Sequence, residues 1–237
     1  MAIKQAHTGF RSLPYRSGII YNWVTSCLYD QDKKFITIAK LIGDGSKSVM
    51  DLPCGTGKLA KFLHPNTTYI GYDLNHRFLK KIVNDFQKGK INLRKVILKQ
   101  YNIFDFDKYP KNDQDVIVFC DILHHVYNKT NNKHIELVEN AKEHAKKIII
   151  CEPITINPED INGNNFLGRW TLRVSKHLPD KIIKYLDFFL ADNDGINSYE
   201  HRSGWKHNET SLKNLYNELG FQKMYDLTDE CIGVWER

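Results

Sequence analysis

Residues 48–57 read Ser-Val-Met-Asp-Leu-Pro-Cys-Gly-Thr-Gly, and Asp73 follows 22 positions after Asp51. A short apolar strand running into a glycine turn, then a helix, then a second strand ending on a carboxylate, admits few folds. It is the opening of a parallel βαβ unit. The two glycines let backbone approach a ligand closely. The carboxylate at the end of the second strand is placed to accept hydrogen bonds from both hydroxyls of a ribose. The segment therefore points to a ligand containing adenosine.

Strand and helix signals alternate from residue 47 to 153. Strands are expected at 47–52, 67–73, 95–101, 115–121 and 147–152, with near-continuous apolar cores such as Val116-Ile117-Val118-Phe119 and Ile148-Ile149-Ile150. Such runs fit parallel strands covered on both faces. Helices are expected between them at about 57–64, 76–88 and 132–146, with Asn75 and not Asp73 as the cap of the second. The alternation implies an α/β fold, a doubly wound and mostly parallel sheet. A helix at about 208–219 ends at Gly220, and strands at 221–227 and 231–236 would form an antiparallel hairpin at the sheet edge.

Residues 1–45 read as a helical cover, with Phe35, Ile38, Leu41 and Ile42 at helical spacing. A long insertion at 154–206, with Phe166, Trp170, Tyr185, Phe188 and Phe189, reads as a lid, since long insertions in compact domains tend to be functional. At 237 residues the whole chain, 1–237, is expected to be one domain.

The net charge of +6 is spread along the chain without a basic run, so no nucleic-acid footprint is indicated. Five cysteines (Cys27, Cys54, Cys120, Cys151 and Cys231) lack Cys-x-x-Cys spacing and suit free thiols in a reducing compartment. The first residues lack the apolar stretch of a signal peptide and no run of 18 apolar residues occurs, which together point to a soluble cytoplasmic protein without a membrane span. The adjacent His124 and His125 point in different directions and make a poor metal pair, so no metal is expected.

The glycine turn also fits the loose pattern G-x-G-x-x-A of nicotinamide enzymes. A Walker A loop is excluded, because Leu52 and Leu59 stand where Gly and Ser or Thr would be needed. A tyrosine–lysine pair of the short-chain dehydrogenase kind occurs only at Tyr29 and Lys33, upstream of the turn. The acidic Asp51 before the turn and the sequence Phe119-Cys-Asp-Ile-Leu-His-His125 after the fourth strand carry a different resemblance. With these residues the chain resembles the class I S-adenosylmethionine-dependent methyltransferases, in particular the small-molecule branch that includes quinone methyltransferases. The resemblance covers about 47–153 and extends through Glu218-Leu-Gly-Phe221 and the final hairpin. Pro53 stands where the family has its first glycine.

The resemblance implies a Rossmann-like, seven-stranded sheet and S-adenosyl-L-methionine as cofactor. It implies that Asp51, Cys54, Gly55 and Gly57 line the methionyl side, with Cys120 and Asp121 beneath it. Asp73 would hold the ribose, and Leu74, Asn102 and Ile103 the adenine; Asn102 stands where the family often has an acid. Tyr15 or Arg16 would hold the methionyl carboxylate. The acceptor would be a small molecule, since the Asn/Asp-Pro-Pro-aromatic run of methylases acting on base or glutamine amino groups is replaced by Asp121-Ile-Leu-His124. His125 and His201 are the candidates for a base if the acceptor is a hydroxyl. The alternatives are an NAD(P)-dependent oxidoreductase and a protein that binds S-adenosylmethionine without catalysis.

Overall fold

The computed structural model describes residues 12–28, 31–111, 113–127, 132–154, 177–179, 181–182, 185 and 205–237. The chain divides into two compact units, Met1–Asp30 with Asn157–Lys206, and Gln31–Ile156 with His207–Arg237. In the first, a 3-10 turn at Pro14–Arg16 leads into helix α1, Gly18–Leu28. The Tyr15 and Tyr21 rings meet edge-on at 5.3 Å there. Most of the expected lid lies outside the described residues, including Phe166, Trp170, Phe188 and His201.

The second unit holds helix α2 (Gln31–Ile42) and then a sheet whose strands follow the apolar runs: β1 Ser48–Asp51, β2 Thr68–Tyr72, β3 Lys95–Lys99, β4 Gln114–Cys120 and β5 Ala145–Pro153. Helix α3, His76–Gln87, connects β2 to β3. Short helix α4 (Leu123–Val126) and α5 (Lys133–His144) connect β4 to β5. Helix α6 (Glu209–Glu218), β6 (Lys223–Asp226) and β7 (Glu230–Glu236) complete the unit. Asn75 caps α3, its side chain accepting from the Arg77 amide at 3.2 Å.

The sheet has seven strands in the order β3-β2-β1-β4-β5-β7-β6. The pairings among β1 to β5 are parallel, and β7 runs antiparallel to both β5 and β6. The hairpin expected at the sheet edge is there; within it β7 is paired on both sides and β6 is the edge strand. Strand order of this kind follows from how the hairpin inserts, which periodicity does not encode.

One sheet face, carrying Val49, Tyr69, Val116, Val118, Ile149, Ile232 and Val234, packs with Phe35, Ile38 and Ile42 of α2 and Leu79 and Ile82 of α3 in one buried cluster. On the opposite face Gly233 lets Tyr216 of α6 come close: a Cβ there would lie 2.8 Å from the tyrosine ring.

The helix expected at 57–64 reduces to a single 3-10 turn, Leu59–Lys61. Gly57 enters the segment at φ +70°, and Pro65 disfavours helical backbone at His64. Too few residues remain for a stable α-helix. No described helix is long and apolar enough to cross a membrane.

Candidate active site

The chain winds from β1 outward through β2 to β3, then returns to the other side of β1 for β4 and β5. The reversal opens a crevice beyond the carboxyl ends of β1 and β4, where open α/β sheets bind their ligands. Four acids stand at the ends of four neighbouring parallel strands. In sheet order they are Asp73 after β2, Asp51 closing β1, Asp121 after β4 and Glu152 near the end of β5.

The glycine turn is fastened to this rim. The Leu52 amide donates to the Val118 carbonyl at 3.0 Å, and the Cys54 amide to that of Tyr72 at 2.9 Å. The Leu52–Pro53 peptide is cis. The two glycines do different work. Gly55 has φ +51°, and a Cβ added to it would meet nothing within 4 Å, so its outer side is open. Gly57 has φ +70°, and its Cβ would lie 2.7 Å from Ile82 of α3. Gly57 thus serves close packing of the turn on the helix, and Gly55 is the one that faces open space. The Cys54 thiol turns inward against Gly71, so at that position backbone is what faces outward.

Asp73 is buried and bridges the turn to α3. One carboxylate oxygen accepts from the Gly55 amide at 2.9 Å, the other from the Asn75 amide at 2.6 Å. Asp51 is more deeply buried and accepts from the Tyr69 hydroxyl at 2.6 Å. Burial pushes its carboxyl up to about 7, with the charge of Asp73 adding to the shift and the Tyr69 hydrogen bond opposing it.

Asp121 takes φ +53°, unusual for a residue other than glycine. Its amide donates to the Cys151 carbonyl at 3.0 Å. Its carboxylate receives the Nζ of Lys34 at 2.7 Å, and the same ammonium donates to Glu230 at the start of β7. Burial would lower the Lys34 pKa, but the two carboxylates hold it well above its ordinary value. Lys34 in turn keeps Asp121 below the usual carboxylate range although burial opposes this.

Glu152 is fully buried and gathers the start of α4. It accepts from the amides of Ile122 at 2.8 Å and Leu123 at 2.7 Å, and its second oxygen contacts Nδ1 of His124 at 2.8 Å. The His124 amide also donates to it at 3.3 Å, and the carboxylate offsets the partial positive charge of these three amides at the helix start. It also fixes the orientation of the His124 ring. His125 is buried beneath it, the ring centroids 4.2 Å apart.

The loop after β3 supplies the far wall. The Asn102 side chain accepts from the Phe104 amide at 3.1 Å, and its own amide donates to Asp105 at 3.2 Å. Asn102 therefore shapes a local turn, with Asp105 three residues on as the nearby acid. Ile103 is buried, and its carbonyl accepts from the Tyr109 hydroxyl at 2.6 Å. Leu74 is half-buried, its carbonyl accepting from Gln100 at 3.2 Å.

A family model described as a methyltransferase domain matches residues 50–147, the stretch from β1 into β5. That match spans 98 of the 237 residues, so it is this stretch that is similar to a methyltransferase domain. No curated protein matches its sequence. Solved structures share the fold of the methyltransferase domain at low identity. An O-methyltransferase family protein from Burkholderia thailandensis is 14% identical with a TM-score of 0.57, over 92% of this chain and 58% of that one. This chain therefore spans little more than half the length of that protein. The magnesium protoporphyrin IX methyltransferase of Synechocystis PCC 6803, solved with bound S-adenosylhomocysteine, is 12% identical with a TM-score of 0.58, over 90% of this chain and 87% of that one. The CurJ carbon methyltransferase is 16% identical with a TM-score of 0.56, over 85% of this chain and 53% of that one.

The group implied by the matched stretch is S-adenosylmethionine, and the glycine turn would have room for it. The open side of Gly55 gives the donor's backbone room, and Asp73 beside it offers carboxylate oxygens.

The structure brings Asp51, Cys54, Gly55, Gly57, Asp73, Cys120 and Asp121 to one rim, with Leu74, Asn102 and Ile103 on the β2–β3 side. Arg16 is exposed at the end of the turn in the first unit. His201 lies outside the described residues. Sequence reasoning missed Lys34, Glu152 and Glu230. Glu152 carried a signal: like Asp51, it is a carboxylate closing a run of apolar strand residues. Lys34 carried another, since it stands four positions before Ile38 on the buried stripe of α2.

Proposed function

We propose that this chain transfers a methyl group from S-adenosylmethionine to a small-molecule acceptor. The observation that carries the reading is the row of carboxylates at the ends of β2, β1, β4 and β5 around the open side of Gly55. A donor that carries an ammonium and a sulfonium beside a single carboxylate matches it, whereas the pyrophosphate of a dinucleotide would meet like charge at Asp121. Asp73 holds the ribose hydroxyls in this reading. The Gly55 backbone, Asp51, Cys120 and Asp121 face the methionyl end, and Leu74, Asn102 and Ile103 the adenine.

When bound, the donor supplies a methyl group already activated by a positive sulfur. The protein's task is then to align the acceptor and exclude water, which can contribute about 7–11 kcal/mol of barrier lowering. A hydroxyl acceptor must also lose its proton. His124 is our candidate for that step, because the buried Glu152 carboxylate orients its ring through Nδ1, as a positioned base requires. A carbon acceptor would need orientation more than a base. The buried thiols of Cys54, Cys120, Cys151 and Cys231 are all free and support a reducing, cytoplasmic setting.

Calorimetric titration of the purified chain with S-adenosylmethionine, S-adenosylhomocysteine and NAD tests the reading. Micromolar binding of the first two and none of NAD is expected, followed by transfer of labelled methyl to an acceptor in a panel of small aromatic and partly apolar molecules. Binding of NAD alone would overturn it.

A further inference from the structure

The buried ammonium of Lys34 is shared between two carboxylates on different strands. It donates to Asp121 at 2.7 Å and to Glu230, and its side chain is only 5% exposed. Glu230 is also mostly buried, at 14%, whereas the Asp121 side chain is 39% exposed at the crevice between β4 and β1. Asp229, Cys120 and Cys151 face the same ammonium. One cation thus serves two close carboxylates, and the trio carries an excess negative charge when both acids are ionised.

We propose that Lys34 and Glu230 are positioning residues for the methyl donor: Glu230 shares the Lys34 ammonium with Asp121, so that the crevice-facing side of Asp121 keeps enough negative charge to receive the donor's ammonium group. The inference rests on the methyltransferase reading above. Neither Lys34 nor Glu230 needs to touch the donor. Their effect runs through the charge that Asp121 presents.

The geometry makes this specific. Paired with Lys34 alone, Asp121 would offer a neutral ion pair to an incoming cation. With Glu230 sharing the ammonium, the trio offers a net negative site only where it is exposed, at Asp121. Charges this close in a partly buried setting interact strongly. Burial raises the Glu230 carboxyl to about 7, while the Lys34 ammonium opposes the shift, so the arrangement is fully charged above neutral pH.

The test compares wild type, Glu230→Gln and Lys34→Gln at pH 8 by calorimetry, with S-adenosylhomocysteine and 5′-methylthioadenosine as probes. The second probe has the adenosine but no amino-acid group. Glu230→Gln keeps an oxygen for Lys34 but removes the charge. It is expected to weaken S-adenosylhomocysteine about tenfold, within the usual span of coupling between sites, and to leave methylthioadenosine unchanged. Lys34→Gln is expected to shift S-adenosylhomocysteine the opposite way, because the ligand's ammonium then replaces the missing cation. Circular dichroism and thermal unfolding check that each variant is folded, and if only one of them folds, the direction of its shift decides the matter. Equal changes for both probes would reduce the trio to a structural role and overturn the proposal, as would no change or a same-direction shift in both variants. If wild type bound neither probe, the methyltransferase reading itself would fall and this inference with it. Wild-type binding with unaffected variants would remove only the inference.

Discussion

The carboxylate of Asp73 accepts the amide of Gly55 at 2.9 Å, so the residue placed for a ribose is also the brace of the glycine turn. Its other oxygen holds the amide of Asn75, the cap of α3. Ligand contact and local structure are therefore coupled at this side chain. Asp73→Ala leaves both amides without that acceptor, at a cost of about 1–3 kcal/mol for each buried group left unsatisfied. Asp73→Asn keeps one acceptor oxygen and is expected to lose less stability. Both should weaken S-adenosylhomocysteine by tenfold or more in calorimetry. Wild-type affinity in a folded Asp73→Asn would remove the ribose assignment.

The two turn glycines should separate in mutagenesis. Gly57→Ala places a methyl 2.7 Å from Ile82 on backbone that already has φ +70°. Crowding and left-handed strain together are expected to lower stability by about 2–4 kcal/mol. Gly55→Ala meets only the strain, about 1–2 kcal/mol, since nothing lies within 4 Å of the new atom. Its methyl points instead into the open side, so ligand affinity should fall more than stability does. Thermal unfolding beside calorimetry reads both, and the opposite ranking would mean that Gly55 does not face the ligand.

The strands were legible because each is an apolar run buried on both faces, and the acids closing β1 and β4 stood out against those runs. Asp73 stood out in the same way, and Asn75 was recognisable as the better cap. Lys34, Glu230 and the Glu152–His124 contact were not legible as pairs. Lys34 and Glu230 lie 196 positions apart, and Glu152 and His124 lie 28 apart. Periodicity reports which face a residue occupies and not which distant partner meets it there. The segment 57–64 carried helix-forming residues, but Gly57 and Pro65 at its ends leave it a single turn. Neither boundary residue changes the apolar spacing on which the expectation rested.

Asp51 gives a pH-dependent prediction. Its carboxyl is raised to about 7 in the folded state, chiefly by burial, against about 3.9 for an unperturbed aspartate. Between those values the folded protein holds a proton that the unfolded chain has released. Stability from this group is therefore fully present below about pH 4 and declines as pH rises towards 7. Asp51→Asn keeps an oxygen for the Tyr69 hydroxyl and removes the titration. It should flatten the decline, so the variant gains on wild type by a few kcal/mol between pH 5 and pH 8. Denaturant unfolding at the two pH values measures this, and a constant difference would show that Asp51 is ionised throughout.

The adjacent histidines can be told apart by which step they affect. Glu152 contacts His124 Nδ1 at 2.8 Å and holds the ring at the start of α4, whereas His125 is buried against that ring. An imidazole whose Nδ1 is oriented by a buried carboxylate can act on an acceptor through Nε2, which is the arrangement of a positioned base. His124→Ala should therefore lower kcat about 10²–10⁴-fold on a hydroxyl acceptor, with the affinity for S-adenosylhomocysteine unchanged. Glu152→Gln should lower kcat in the same direction by a smaller factor, and it should also reduce Tm, because three backbone amides lose a charged acceptor. His125→Ala opens a cavity under the ring and should cost stability first, with turnover falling only as far as His124 is displaced. Single-turnover rates for the three variants, with Tm measured alongside, decide the assignment. A loss of turnover confined to His125→Ala would transfer the role to His125, and full turnover in His124→Ala would mean that the acceptor needs no base from this pair.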